Sequence, residues 1–129
     1  MRLLLDTHVW LWMAISPSKL SGKTRRLLTD PRNELLLSAI SPWEIAIKVA
    51  SGRLRLPLPV EEYVARRLTT TRVTSLAIEW LHGVEAASLP LHHHDPFDRL
   101  LIAQSRLLSI PLVTADAAFE AYEVKLIEA

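Results

Sequence analysis

The sequence predicts an α/β fold built on a parallel sheet with helices on both faces. Three observations lead there. Short, continuously apolar runs recur at Leu3–Leu5, Leu35–Leu37 and Leu112–Thr114, as they do in strands buried on both faces. Longer segments with helical spacing separate these runs, which is the alternation of βαβ units. Acids stand where strands end or helices begin, at Asp6, Glu44, Asp98 and Asp116. About four to five parallel strands flanked by helices account for the pattern.

Taken in order, Leu3–Leu5 forms the first strand and ends at Asp6. Thr7 to Ile15 is apolar on nearly every face and predicts a buried helix, which Ser16-Pro17-Ser18 breaks. Ser21 starts an amphipathic helix through Thr29, with Lys23, Arg25 and Arg26 outward, and Asp30-Pro31-Arg32-Asn33 is a turn. After the strand at Leu35–Leu37, Ser41-Pro42-Trp43-Glu44 has the pattern of a capping box, with Ser as N-cap and Glu three residues on. That helix runs to Ser51 and stops at Gly52. Arg53 to Pro57 alternates and ends as a loop or edge element. Val60 to Thr71 is a helix, Val73–Leu76 a short strand, and Ile78 to Ala87 a further helix.

The stretch from His92 to Asp116 organises the rest. Asp95 occupies an N-cap position and Pro96 the first helical position. Phe97, Leu100, Leu101, Ala103, Leu107 and Leu108 then recur at helical spacing until Ile110-Pro111. Leu112–Thr114 follows as a strand, then Asp116, a short helix at Ala117–Ala121 and a last strand at Val124–Ile127.

Composition bounds the class. A chain of 129 residues with 50% hydrophobic content suits one domain, 1–129, with a real core. The absence of cysteine excludes disulfides and thiolate zinc sites and fits a reducing cytoplasm. A net charge of +1 leaves any nucleic-acid contact to a local basic patch. No run is long enough for a membrane span, and Asp6 interrupts what would otherwise resemble a signal peptide.

Each acid has a plain structural role open to it, because acids are common in first helical turns. Asp6 and Asp116 are placed to cap helices, Glu44 to complete a capping box, and Asp98 lies three residues after the Asp95 cap. Jointly they mean something else. In a parallel sheet, strand ends and helix starts share the carboxyl edge, the usual binding crevice. Four carboxylates gathered there repel one another unless a cation is present. Hard oxygen donors without thiolates suit Mg²⁺ or Mn²⁺, and such ions activate water for phosphodiester cleavage.

The remaining candidate residues have ordinary roles open to them. His92, His93 and His94 are expected in a solvated loop, although with Asp95 they could bind a transition metal. His8 is expected to pack in the core, and Trp10, Trp12 and Trp43 to serve core or interface. Lys48 suits a helix ion pair with Glu44. Arg53, Arg55, Arg66, Arg67 and Arg72 are the phosphate-contact candidates against a default of solvation. The apolar residues of the first two helices and Trp43 exceed what so small a domain needs to bury.

The segments LLLDTHVWLW, SPWEIAIK, DPFDRLLIAQ and LVTAD resemble the PIN-domain ribonucleases, and more narrowly the toxin halves of VapBC toxin–antitoxin pairs. The resemblance covers nearly the whole chain. It implies a PIN-like three-layer sandwich, an acidic quartet at Asp6, Glu44, Asp98 and Asp116 acting as catalytic residues and metal ligands, and a hydroxyl at Thr114 beside the last acid. It also implies Mg²⁺- or Mn²⁺-dependent cleavage of structured RNA such as tRNA or rRNA, homodimerisation, and inhibition by a small VapB-like antitoxin. Two other classes stay open: a phosphoacceptor signalling domain, which would carry paired acids after its first strand, and a non-catalytic binding module whose acids only cap helices.

Overall fold

The computed structural model describes residues 1–129 and places five parallel strands in the order β3-β2-β1-β4-β5. The strands are β1 (Arg2–Leu5), β2 (Glu34–Ser38), β3 (Val73–Leu76), β4 (Leu112–Thr114) and β5 (Leu126–Glu128). The helices are α1 (Thr7–Ile15), α2 (Gly22–Thr29), α3 (Ile40–Ala50), α4 (Val60–Thr70), α5 (Trp80–Ser88) and α6 (Pro96–Leu108). None of the helices is long and apolar enough to cross a membrane.

The triple-leucine strands explain the three layers. Side chains alternate across a strand, so Leu3 and Leu5 enter one core with Val9, Trp10, Leu35, Leu37, Ile45 and Tyr63. Leu4 and Leu36 enter a second core with Leu101, Ile102, Leu112 and Phe119. Leu3, Leu4 and Leu5 are all fully buried, and burying each side chain is worth about 1.5–3 kcal/mol. A strand apolar on one face only could not hold the middle of this sheet.

β1 pairs with β2 on one side and β4 on the other. The chain fills β2 and β3 first and returns to the opposite flank of β1, so the strand order reverses between β1 and β4. In open parallel sheets such a reversal, beyond the carboxyl ends of the two strands, is where ligands bind. Asp6 directly follows β1, and Asp116 lies two residues after β4.

Local rules hold at most helix ends. Ser21 caps α2 by accepting from the Thr24 N–H (3.1 Å), and Asp95 caps α6 by accepting from Phe97 (2.8 Å) and Asp98 (3.3 Å). Gly52 takes φ +76° and ends α3. The capping box at Ser41 does not form. α3 begins at Ile40, and Ser38 Oγ accepts from the Ile40 N–H (3.2 Å). Ser41 is buried inside the helix, where its Oγ accepts from Thr7 Oγ1 (2.8 Å), tying the starts of α1 and α3 together. Glu44 points to Lys48 Nζ (2.9 Å).

A double-mutant cycle separates this tie from a capping role. Thr7→Val and Ser41→Ala should each destabilise, and the pair should show a coupling of about 0.5–1.5 kcal/mol in urea unfolding. Strict additivity would mean that Ser41 acts only on its own helix end.

Candidate active site

The four acids predicted from sequence arrive at one edge of the sheet. Asp6 is buried, and its backbone N–H donates to Val113 O (2.9 Å), which locks the end of β1 to β4. Its carboxylate accepts from Thr114 Oγ1 (2.7 Å), and the same Thr114 oxygen accepts from the Asp116 N–H (3.0 Å). One hydroxyl therefore fixes two of the acids. Asp116 is exposed and caps the short 3₁₀ turn Ala117–Ala121 through its Oδ1, accepting from Ala118 (2.9 Å). Its capping and its place in the cluster are compatible, since one carboxylate has two oxygens.

Burial and crowding set the electrostatics. Asp98 is pushed up to about 7, first by burial and then by the charges of Asp6, Asp95 and Glu44, against the lowering effect of His93. Asp6 is also raised, chiefly by burial, with Glu44 adding to the rise and Thr114 and His8 opposing it. Asp6, Glu44 and Asp98 thus feel one another as charges. Only Lys48, bonded to Glu44, brings a lysine cation into direct contact with the quartet.

Sequence reasoning missed one participant. His93 does not lie in a free loop: its Nε2 is 2.7 Å from Asp98 Oδ2. His93, Asp98 and Asp116 bring ligand-type atoms within 4.8 Å of one another. His92 and His94 stay exposed, as expected. Nothing in the local spacing singles out the middle histidine, because its placement depends on Arg99 and Tyr122. Arg99 is buried, and its guanidinium donates to the carbonyls of Ala86, Leu89, Pro90 and His93. Tyr122 Oη accepts from the His93 N–H (2.8 Å) and donates to Pro90 O (2.8 Å).

Several other expectations change. His8 is exposed and lies against Trp12 (6.2 Å) instead of packing in the core. The helix α1 buries Val9, Trp10 and Leu11, leaves Trp12 and Met13 half-buried and exposes Ile15, and α2 turns Leu28 inward. The uncovered apolar surface lies mainly on α5 and the segment after it, at Trp80 (78% exposed), Leu81, Val84 and Leu91 (72%). Trp43 is 61% exposed and meets the half-buried Phe97 edge-on (5.5 Å), so an aromatic pair with one exposed ring adjoins Glu44 and Asp98 in sequence. Arg72 precedes β3, and Arg66 and Arg67 lie toward the end of the helix leading into it. That is the sheet edge opposite the acids. Arg53 and Arg55 are exposed after α3.

Comparison with known proteins bears on this arrangement. A family model of the PIN domain matches residues 3–125. The chain is 31% identical over 114 residues to ribonuclease VapC22 of Mycobacterium tuberculosis (strain ATCC 25618 / H37Rv), covering 88% of this chain and 85% of that protein. It is 40% identical over 61 residues to ribonuclease VapC16 of the same organism, a match spanning 47% of this chain and 43% of that protein's length. Among solved structures it is similar to a chain of VapBC2 from Rickettsia felis bound to a promoter DNA fragment, with a TM-score of 0.71 at 17% identity, covering 99% of this chain and 98% of that one. DNA-bound VapBC from Salmonella typhimurium gives a TM-score of 0.72 at 12% identity and the same coverage. At those identities the likeness is one of fold.

The raised Asp98 has a consequence for pH. Its carboxyl titrates near 3.8 when unperturbed and at about 7 in the site. Between those values the folded protein holds a proton that the unfolded chain has released. The resulting stability is complete below the unfolded value and is lost as pH rises through about 7. Metal-free protein should therefore weaken as pH is raised toward 7.5, and Asp98→Asn should flatten that slope and be the more stable form at pH 7.5. Urea unfolding in EDTA across this range measures it. A mutant less stable than wild type at pH 7.5 would mean that Asp98 serves the α6 helix dipole instead.

Proposed function

This chain belongs to the PIN-domain family, and from that premise we propose that it is a metal-dependent endoribonuclease, one PIN domain over 1–129, acting as the toxin of a toxin–antitoxin pair in the cytoplasm. The observation that carries the proposal is the gathering of Asp6, Glu44, Asp98 and Asp116 at the reversal of strand order, with Asp6, Glu44 and Asp98 buried there.

The donor set fits a hard divalent cation. Asp6, Asp98 and Asp116 offer carboxylate oxygens with no thiolate nearby, and a cation among them would relieve their mutual repulsion. Asp6, Asp98 and Asp116 would hold Mg²⁺ or Mn²⁺, with Glu44 as the fourth acid. When bound, such an ion lowers the pKa of its water and offsets charge on the phosphodiester. The protein's part is orientation. Thr114 fixes the Asp6 carboxylate and the Asp116 backbone, so these acids lose little freedom when a ligand arrives. Lys48 holds the Glu44 carboxylate in place and leaves further ammonium hydrogens for a phosphate. Asp98 must give up its proton to act as a ligand.

The partners follow from the same reading. VapC22 and VapC16 are named ribonucleases, and the structural neighbours are VapBC complexes. RNA, including tRNA or rRNA, is the proposed substrate, and a VapB-like antitoxin the proposed inhibitor. The exposed Trp43 ring, backed by the half-buried Phe97, offers an apolar helix or peptide an anchor. The apolar surface at Trp80, Leu81 and Val84 supports assembly as a homodimer.

Two experiments test this. Purified protein should cleave cellular RNA with Mn²⁺ or Mg²⁺ and not with EDTA, and Asp6→Asn or Asp98→Asn should lower the rate by orders of magnitude while the protein stays folded. Full cleavage by either folded mutant overturns the site assignment. Expression of the chain alone should arrest growth, and co-expression of a short neighbouring reading frame should restore it through a stable complex that no longer cleaves. Harmless expression of fully active enzyme overturns the toxin reading.

A further inference from the structure

We propose that His93 is a fifth member of this site, an imidazole nitrogen ligand that joins Asp98 and Asp116 on the divalent cation and biases the site toward Mn²⁺ and softer first-row ions over Mg²⁺. The inference rests on the metal-site reading above and adds to it a nitrogen donor from outside the acidic quartet.

The geometry carries it. Three potential donors, one nitrogen and two carboxylates, come from three places: the loop before α6, the first turn of α6 and the segment after β4. Their ligand atoms lie within 4.8 Å of one another, and the 2.7 Å contact between His93 Nε2 and Asp98 Oδ2 would open to admit one ion between them. His93 and Asp98 lie five residues apart on the loop and first turn that open α6, and Asp116 joins them from beyond β4. His92 and His94 are not part of this cluster: both are exposed, and His92 lies edge-on against Tyr122 at 5.3 Å.

The position of His93 is enforced. Its N–H is held by Tyr122 Oη (2.8 Å) and its carbonyl by Arg99 Nη1 (3.2 Å). The ring lies edge-on against Phe119 (6.3 Å), which is fully buried. A buried guanidinium normally pairs with a carboxylate. Arg99 instead donates to four backbone carbonyls and contacts the Tyr122 hydroxyl, and three of those carbonyls, Leu89, Pro90 and His93, belong to the loop that delivers the imidazole. Fixing backbone and ring together pre-organises the nitrogen.

The chemistry sets the preference. Mg²⁺ takes oxygen ligands and sheds water reluctantly, whereas imidazole suits the first-row transition metals. With His93 in the set, the site discriminates among divalent ions in a way that four carboxylates alone do not.

The test reads coordination directly. Mn²⁺ added to the purified chain should show, by pulsed EPR, the ¹⁴N coupling of a directly bound imidazole. His93→Gln should abolish that coupling and weaken Mn²⁺ binding on the order of 10–100-fold, with a much smaller effect on Mg²⁺. His92→Gln and His94→Gln should keep both. Should His93→Gln fail to fold, the signal of a combined His8→Gln, His92→Gln, His94→Gln variant decides the matter. The one other histidine then left, His82, is buried with its Nδ1 facing the Glu79 N–H (3.0 Å) and Gln104 Nε2 (3.2 Å). Bound Mn²⁺ without ¹⁴N coupling in the wild type overturns the role of His93 and leaves the carboxylate site standing. No Mn²⁺ binding at millimolar concentration overturns both.

Discussion

The rest of the site depends on the burial of Asp6. The three leucines before it are wholly removed from water on both faces of the sheet, so the chain cannot tilt to carry the carboxylate outward. Its backbone N–H is committed to β4, and its side chain receives the Thr114 hydroxyl. Desolvation is the largest influence on both Asp6 and Asp98, ahead of any single neighbouring charge. Burial creates the electrostatic conflict, and the proximity of the acids sharpens it. The hydrogen bonds offset only part of it. Thr114 lowers Asp6 and His93 lowers Asp98, yet both carboxyls remain raised.

How much of this was legible in the sequence follows from the range of the interactions involved. The triple-leucine runs announced strands buried on both faces, and a parallel sheet then brings strand ends and helix starts to a common edge. The gathering of Asp6, Glu44, Asp98 and Asp116 followed from topology, with no need for side-chain detail. The Asp95-Pro96 start of α6 was equally plain, because a cap involves only neighbours in sequence. The Ser41 capping box failed for an instructive reason. Its local pattern is correct, but a partner 34 residues away, Thr7, claims the hydroxyl, and the helix starts earlier. Tertiary packing overrode a preference worth about 1 kcal/mol.

His93 was illegible for the same reason in reverse. Three consecutive histidines look like a solvated loop, and nothing within the loop selects the middle one. The selection comes from Arg99, six residues ahead, and Tyr122, a further 23 on. The capping and cluster roles of the acids were set against each other in the sequence, but at Asp116 they coexist: one oxygen holds the Ala118 N–H while the carboxylate stays within reach of His93 and Asp98. Treating cap and ligand as alternatives is sound only for an atom, not for a residue with two acceptor oxygens.

Arg99, a buried cation next in sequence to Asp98, invites the wrong explanation. The simplest assignment would make it the counter-charge of the cluster. Its hydrogen bonds argue otherwise. Every nitrogen contact goes to a carbonyl or to Tyr122, and none goes to Asp6, Glu44, Asp98 or Asp116. The influences that move Asp98 are its burial, His93 and the other acids. Arg99 therefore forms no ion pair with these acids. A guanidinium that neutralised these carboxylates would compete with any cation for the same oxygens. Directed at backbone carbonyls instead, it orders the loop that carries His93 while the acids stay free to bind. The fold in this way separates two tasks that one ion pair would have merged: holding the site together, and leaving it charged.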